Sequence, residues 1–213
     1  MTEAIVFDLD GTLLNTIYDI RDSMNRALAA CGLPTHSAED YCYFIGSGVR
    51  VLVERAVGES HLMLCDRVKE IYLNDYATNA TNLTCPYEGI MALLEVLNKK
   101  RIPIAVFSNK PHKDTLRVIA HYFPHIAFAA VRGQMEGTAP KPDPAGAFEI
   151  ARELRVAPEN CLYVGDTDVD MICANNAGMK AIGVTWGFRE REELKRGNAA
   201  FIADCPGEIL RLI

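Results

Sequence analysis

The chain has 213 residues, 49% of them hydrophobic, with a formal net charge of −6. That length and apolar share suit one or two compact domains with a full core, and the acidic balance argues against the clustered basic face of a nucleic-acid binder. No stretch reaches the length of a membrane span, and the N-terminus lacks a basic region followed by an apolar signal core. A cytoplasmic protein with no nucleic-acid or membrane partner is therefore expected.

In chain order, the first element is a short buried strand at 5–7, where Ile5, Val6 and Phe7 precede Asp8 and Asp10. Carboxylates at i and i+2 share one face of an extended chain. Burying them unpaired is costly, so a cation between them and a neighbour is expected. Gly11 then lets the chain turn sharply and bring backbone N–H groups close to an anion.

From 17 to 82 no strong strand signal occurs, and amphipathic helices are predicted at 19–31, 37–43, 49–57 and 62–77. After Cys85-Pro86 the pattern changes. Apolar strands at 102–107, 127–131, 161–164, 181–184 and 201–202 alternate with helices at 89–99, 113–122, 144–154 and 169–177. Such alternation predicts a parallel sheet with helices on both faces.

Several tempting features carry little. His121 and His125 are four apart, but Pro124 disfavours the continuous helix that such a metal pair needs. Gly46-Ser47-Gly48 lacks the third glycine of a dinucleotide fingerprint, Val51 standing in its place. The seven cysteines are odd in number, without CxxC spacing, and read as reduced, mostly buried small hydrophobes. Lys99-Lys100-Arg101 reads as a helix C-terminus favoured by its dipole.

Three further segments match the first in kind. IPIAVFSNK, from Ile102, is an apolar strand ending in Ser108 and Asn109. Lys141 stands between prolines in APKPDP. CLYVGDTDVD, from Cys161, ends a strand in Gly165 and Asp166, with Asp170 four residues on. In this order DLDGT, SN, KP and GDTDVD resemble the four motifs of the haloacid dehalogenase superfamily, whose members are mostly magnesium-dependent phosphatases. The resemblance covers essentially the whole chain. Within the superfamily DLDGTLLNT, IGSGVRVLVERAV, VFSNKP, YVGDTDVDMICANNAGM and VTWGFR are most similar to the phosphoglycolate phosphatase-like branch, although many relatives carry an acid where this chain has Asn15.

The resemblance implies a Rossmann-like three-layer α/β core with a parallel sheet, formed by 1–16 and 84–213, with an inserted all-helical cap domain at 17–83. It implies that Asp8 is the nucleophile that forms an aspartyl-phosphate, and that Asp10 protonates the leaving alcohol and then activates water. Mg²⁺ would be held by Asp8, the backbone carbonyl of Asp10 and Asp166, with Asp170 orienting the metal shell. Ser108, Asn109 and Lys141 would bind the phosphoryl oxygens, with help from the amides of Leu9 and Asp10. Thr12 reads as a turn and helix-entry residue, and Asp168 as a surface acid. Relatives that displace halide lack an acid at the position of Asp10, so its presence favours phosphate.

The expected activity is hydrolysis of a small phosphorylated metabolite, 2-phosphoglycolate first, by a monomer or weak homodimer. A β-phosphoglucomutase-type mutase, a pyrophosphatase or nucleotide phosphatase, and a non-catalytic relative are the alternatives. A phosphorylated acid calls for a cation in the cap; Arg50 is the candidate, with Arg55 and Arg21 read as ordinary helix charges.

Overall fold

The computed structural model describes residues 2–213. Six parallel strands form one sheet in the order β5-β4-β1-β6-β7-β8, namely β1 (Ala4–Phe7), β4 (Ile104–Pro111), β5 (Ala130–Gln134), β6 (Cys161–Gly165), β7 (Lys180–Val184) and β8 (Phe201–Ala203). The period-2 alternation of the strands divides the core into two layers. Ile5 and Phe7 pack with Leu162, Val164, Ile104 and Val106 on one face, and Ala4 and Val6 pack with Tyr163, Ala105 and Phe107 on the other.

Helix α5 (Ile90–Lys99) covers the first face through Ile90, Leu93, Leu94 and Leu97, spaced as one stripe of a helix, together with α6 (His112–Tyr122). The opposite face takes α7 (Ala145–Leu154) through Ala147 and Ile150, and α8 (Asp168–Asn176) through Met171 and Ala174. This is the three-layer α/β architecture expected, with a helical insertion between the first strand and its neighbour β4.

That insertion comprises α1 (Ile17–Ala30), α2 (Ala38–Phe44), α3 (Val49–Val57) and α4 (Cys65–Asn79). Its neck is closed by a two-residue antiparallel ladder, β2 (Leu14–Asn15) against β3 (Cys85–Pro86). Asp19, in the first turn of α1 and 3% exposed, accepts from the Leu83 and Thr84 amides and the Thr84 hydroxyl at 2.7–3.0 Å. A buried carboxylate surrounded by donors needs no other partner, so the outgoing and returning chains are fastened together.

Several boundaries differ from the sequence expectation. The strand expected at 127–131 runs instead from Ala130 to Gln134: β5 is a sheet edge, where half-buried Arg132 pairs with Glu149 and Glu153 of α7, so the apolar run alone misplaces it. The helix expected at 62–77 is α4, preceded by a 3₁₀ segment at Glu59–Leu64. The ladder β2–β3, α9 (Arg191–Arg196) and α10 (Pro206–Ile209) are too short to leave a periodic signal. All seven cysteines are free; Cys65, Cys161 and Cys173 are buried, but Cys85 and Cys205 are exposed. No helix among the described residues is long and apolar enough to cross a membrane.

Candidate active site

The winding of the sheet reverses around β1, which lies between β4 and β6, and a crevice opens at the carboxyl ends of strands where such a reversal occurs. Asp8 and Asp10 leave the tip of β1, Ser108 to Lys110 form the end of β4, and Asp166 follows β6. The tip of β1 turns at once: the Leu9 carbonyl accepts from the amides of Thr12, Leu13 and Leu14, and Gly11 adopts φ +85°. A Cβ at Gly11 would lie 2.2 Å from Asp166 Oδ2, so the turn and the third carboxylate fit only because that side chain is missing.

Asp8, Asp166 and Asp170 each present a carboxylate oxygen within 4.8 Å of one another, and all three are buried. Lys141, 3% exposed, is the ammonium among them. Its Nζ lies 2.7 Å from Asp170 Oδ1 and 2.8 Å from Asp8 Oδ1, and donates to the Phe107 carbonyl at 3.1 Å. The contact with Asp8 is ionic without hydrogen-bond alignment, which leaves Asp8 Oδ1 buried and without a directed donor. Asp170 differs: its Oδ2 accepts from the Thr167 amide and hydroxyl in a capping box at the start of α8, so both its oxygens are engaged. Asp166 accepts from the Thr12 hydroxyl at 3.0 Å and the Phe188 amide at 2.8 Å.

The electrostatics follow from burial. Desolvation pushes the Asp8 carboxyl up to about 7, although Lys141 beside it pulls the other way. Burial also raises Asp166, and the neighbouring Asp170 and Asp8 carboxylates add to the effect. Desolvation works against the Lys141 charge, yet Asp170 and Asp8 hold its ammonium well above the ordinary lysine value. Three carboxylates against one ammonium leave an excess of negative charge in a dry place. The donor set is all oxygen, so the residues fit a hard divalent cation.

Asn109, expected among the phosphate binders, has its amide engaged between backbone groups. It donates to Gly46 O at 2.9 Å and Lys141 O at 3.0 Å, and accepts from the Lys141 amide at 2.8 Å. It thereby ties the α2–α3 loop of the insertion to the loop that carries Lys141. Arg189 makes a second tie, donating to Ile45 O at 3.0 Å while its guanidinium stacks 5.0 Å from the Tyr43 ring centroid.

Arg50 is not brought to the site. Helix α3 presents Val49, Leu52 and Val53 inward at helical spacing, and Arg50 falls off that stripe. Its side chain is 54% exposed and pairs with Glu54 and Asp66. His121 and His125 join no metal-ligand cluster among the described residues.

Two residues stand inside with contacts that the sequence did not show. The Lys110 ammonium reaches Asp10 Oδ1 at 2.9 Å and Oδ2 at 3.1 Å, above the Tyr76 ring at 4.7 Å. Thr12 supports Asp166 rather than merely completing a turn. The lysine following Ser108-Asn109 on the same strand end was the available signal for the first. Nothing local signalled the second, since its partner is 154 residues away.

Comparison with known proteins agrees with this geometry. Residues 5–184 match the family model described as haloacid dehalogenase-like hydrolase. A phosphoglycolate phosphatase of Vibrio parahaemolyticus is 29% identical over 216 residues, covering 98% of this chain and 95% of that protein. One from Mesorhizobium japonicum is 33% identical over 191 residues, covering 88% and 84%. A crystal structure from Lactobacillus delbrueckii subsp. bulgaricus superimposes with a TM-score of 0.93 at 30% identity, covering 100% of this chain and 99% of that one. With the family model matched from the first motif strand through β7, the chain belongs to the haloacid dehalogenase-like hydrolases.

Proposed function

We propose that the protein is a Mg²⁺-dependent phosphomonoesterase that acts through an aspartyl-phosphate on Asp8, with 2-phosphoglycolate as its first-choice substrate. The observation that carries the reading is the buried group of Asp8, Asp166 and Asp170 around Lys141, with Asp10 beside it at the switch point of the sheet. The substrate assignment draws on relatives named phosphoglycolate phosphatase that align over nearly the whole chain.

Asp8 is the nucleophile in this reading, because its Oδ1 has no directed donor and faces an ammonium that keeps the carboxylate available. Asp8, Asp166 and the Asp10 carbonyl would hold Mg²⁺, which when bound neutralises charge on the phosphoryl oxygens. Lys141 and the Ser108 hydroxyl bind those oxygens, and Asp170 holds Lys141 in place. Asp10 donates a proton to the leaving oxygen and afterwards accepts one from the attacking water. The helical insertion, taken as a cap over 17–83, excludes bulk water from the reacting centre.

The test is phosphate release from a panel of phosphomonoesters, with and without chelator. The proposal expects turnover of 2-phosphoglycolate above the other members, lost in chelator and restored by Mg²⁺. Full turnover after verified removal of metal, or no phosphate release from any member, would overturn it.

A further inference from the structure

A substrate that carries a carboxylate beside its phosphate needs a cation on the leaving-group side of the site. Lys141 does not supply it. Its Nζ donates to Asp170 and the Phe107 carbonyl and lies in ionic contact with Asp8, all toward the phosphoryl side and the core. Arg50 lies outside the cavity and is paired with Glu54 and Asp66. The cavity between the insertion and the strand ends has Lys110 as its only cation among the described residues.

We infer that Lys110 is the residue that recognises the carboxylate of the substrate, and that it limits the substrate to short phosphoesters of hydroxy acids. This inference rests on the phosphomonoesterase reading above. An ammonium has three donors, and Lys110 directs two contacts to the Asp10 carboxylate, at 2.9 and 3.1 Å. Its Nζ also lies over the face of the Tyr76 ring, so the side chain is held in one place without consuming its remaining donor.

The geometry sets the length of the substrate. Asp10 serves the ester oxygen, and Lys110 is bonded to that same carboxylate at 2.9 Å; a second hydrogen bond of about 2.8 Å in series places Nζ within roughly 6 Å of the ester oxygen. An anionic group one or two carbons from that oxygen reaches Lys110, whereas one at the far end of a hexose does not. The walls reinforce this limit. Ile45, Val49 and Leu52 present apolar surface on the α2–α3 side, which offers no partners to a polyhydroxylated leaving group.

The test compares 2-phosphoglycolate with 2-hydroxyethyl phosphate, which keeps the two-carbon length but lacks the carboxylate. Both are assayed with the wild type, Lys110→Met and Lys110→Arg. Losing one charge-assisted contact is expected to lower the wild-type preference for phosphoglycolate, as the ratio of kcat/KM values, roughly 10–100-fold in Lys110→Met, mainly through KM. Lys110→Arg is expected to restore much of the ratio. Any general effect of Lys110 on Asp10 changes both substrates alike and cancels in the ratio. A ratio unchanged in folded Lys110→Met, or a wild type without preference between the two, would overturn this inference and leave the phosphatase assignment intact. A wild type that releases phosphate from neither remove both.

Discussion

Gly11→Ala tests how closely the β1 turn is fitted to Asp166. The new Cβ would lie 2.2, 2.6 and 2.8 Å from Asp166 Oδ2, Cγ and Oδ1, and the backbone is held at φ +85°. A left-handed conformation costs an L-residue about 1–2 kcal/mol. Displacing Asp166 breaks at least one of its bonds from Thr12 and Phe188, adding about 1.5–3 kcal/mol for a hydrogen bond to a charged group. The expected loss of stability is therefore roughly 2.5–5 kcal/mol. Gly32→Ala is the internal control: it has φ +72° with nothing within 4 Å of its Cβ, so only the backbone cost of about 1–2 kcal/mol applies. Urea unfolding of both variants measures the difference, and calorimetric titration of Mg²⁺ reads the displacement of Asp166 directly, with affinity expected to fall by about 10-fold or more. Equal stability losses in the two variants, with unchanged Mg²⁺ affinity in Gly11→Ala, would refute the reasoning.

Three other outcomes follow from named contacts. Arg50→Ala removes only exposed ion pairs with Glu54 and Asp66 and should change stability by less than about 1 kcal/mol, with kcat/KM for 2-phosphoglycolate unaltered; a selective rise in KM would return Arg50 to the site. Asp10→Asn should slow turnover by roughly 10²–10⁴-fold while the fold and the Asp8 cluster persist, and unchanged turnover would remove Asp10 from proton transfer. Asp75, bonded by both Nε and Nη2 of Arg26, has its carboxyl held down to about 2 by that guanidinium, below the ordinary value of 3.8. Its contribution is thus fully present above about pH 4 and is lost as pH falls toward 2. The stability gap between wild type and Asp75→Asn should close over that window, and a gap independent of pH would contradict the assignment.

What was legible in the sequence depended on how local its physical cause was. Asp8, Asp10 and Asp166 follow apolar strands, and a carboxylate at a buried strand end stands out because burial makes it costly. The inserted helices were readable from their 3.6-residue period and from the change of pattern at Cys85-Pro86. Interactions over long separations were not readable. Lys110 meets Asp10 across 100 residues, and Asp19 meets Thr84 across 65, so neither pairing is marked locally even where the residues themselves stand out. Arg50 was misplaced although its helix held the correction: Val49, Leu52, Val53 and Ala56 define the inward stripe, and an arginine one residue past Val49 lies off it. The edge position of β5 was likewise a property of the assembled sheet, which is why a strand carrying Arg132 and Gln134 escaped an apolar pattern.

The central claim is that the Asp8 carboxylate attacks phosphorus. The most direct measurement is to acid-quench the enzyme during turnover of 2-phosphoglycolate with Mg²⁺, reduce the protein with borohydride and map the peptides by mass spectrometry. An acyl phosphate is reduced to the alcohol, so the account predicts homoserine at position 8, dependent on both substrate and metal and missing in Asp8→Asn. Homoserine at another aspartate, or turnover at full rate with none formed under conditions that trap an acyl phosphate standard, would contradict it.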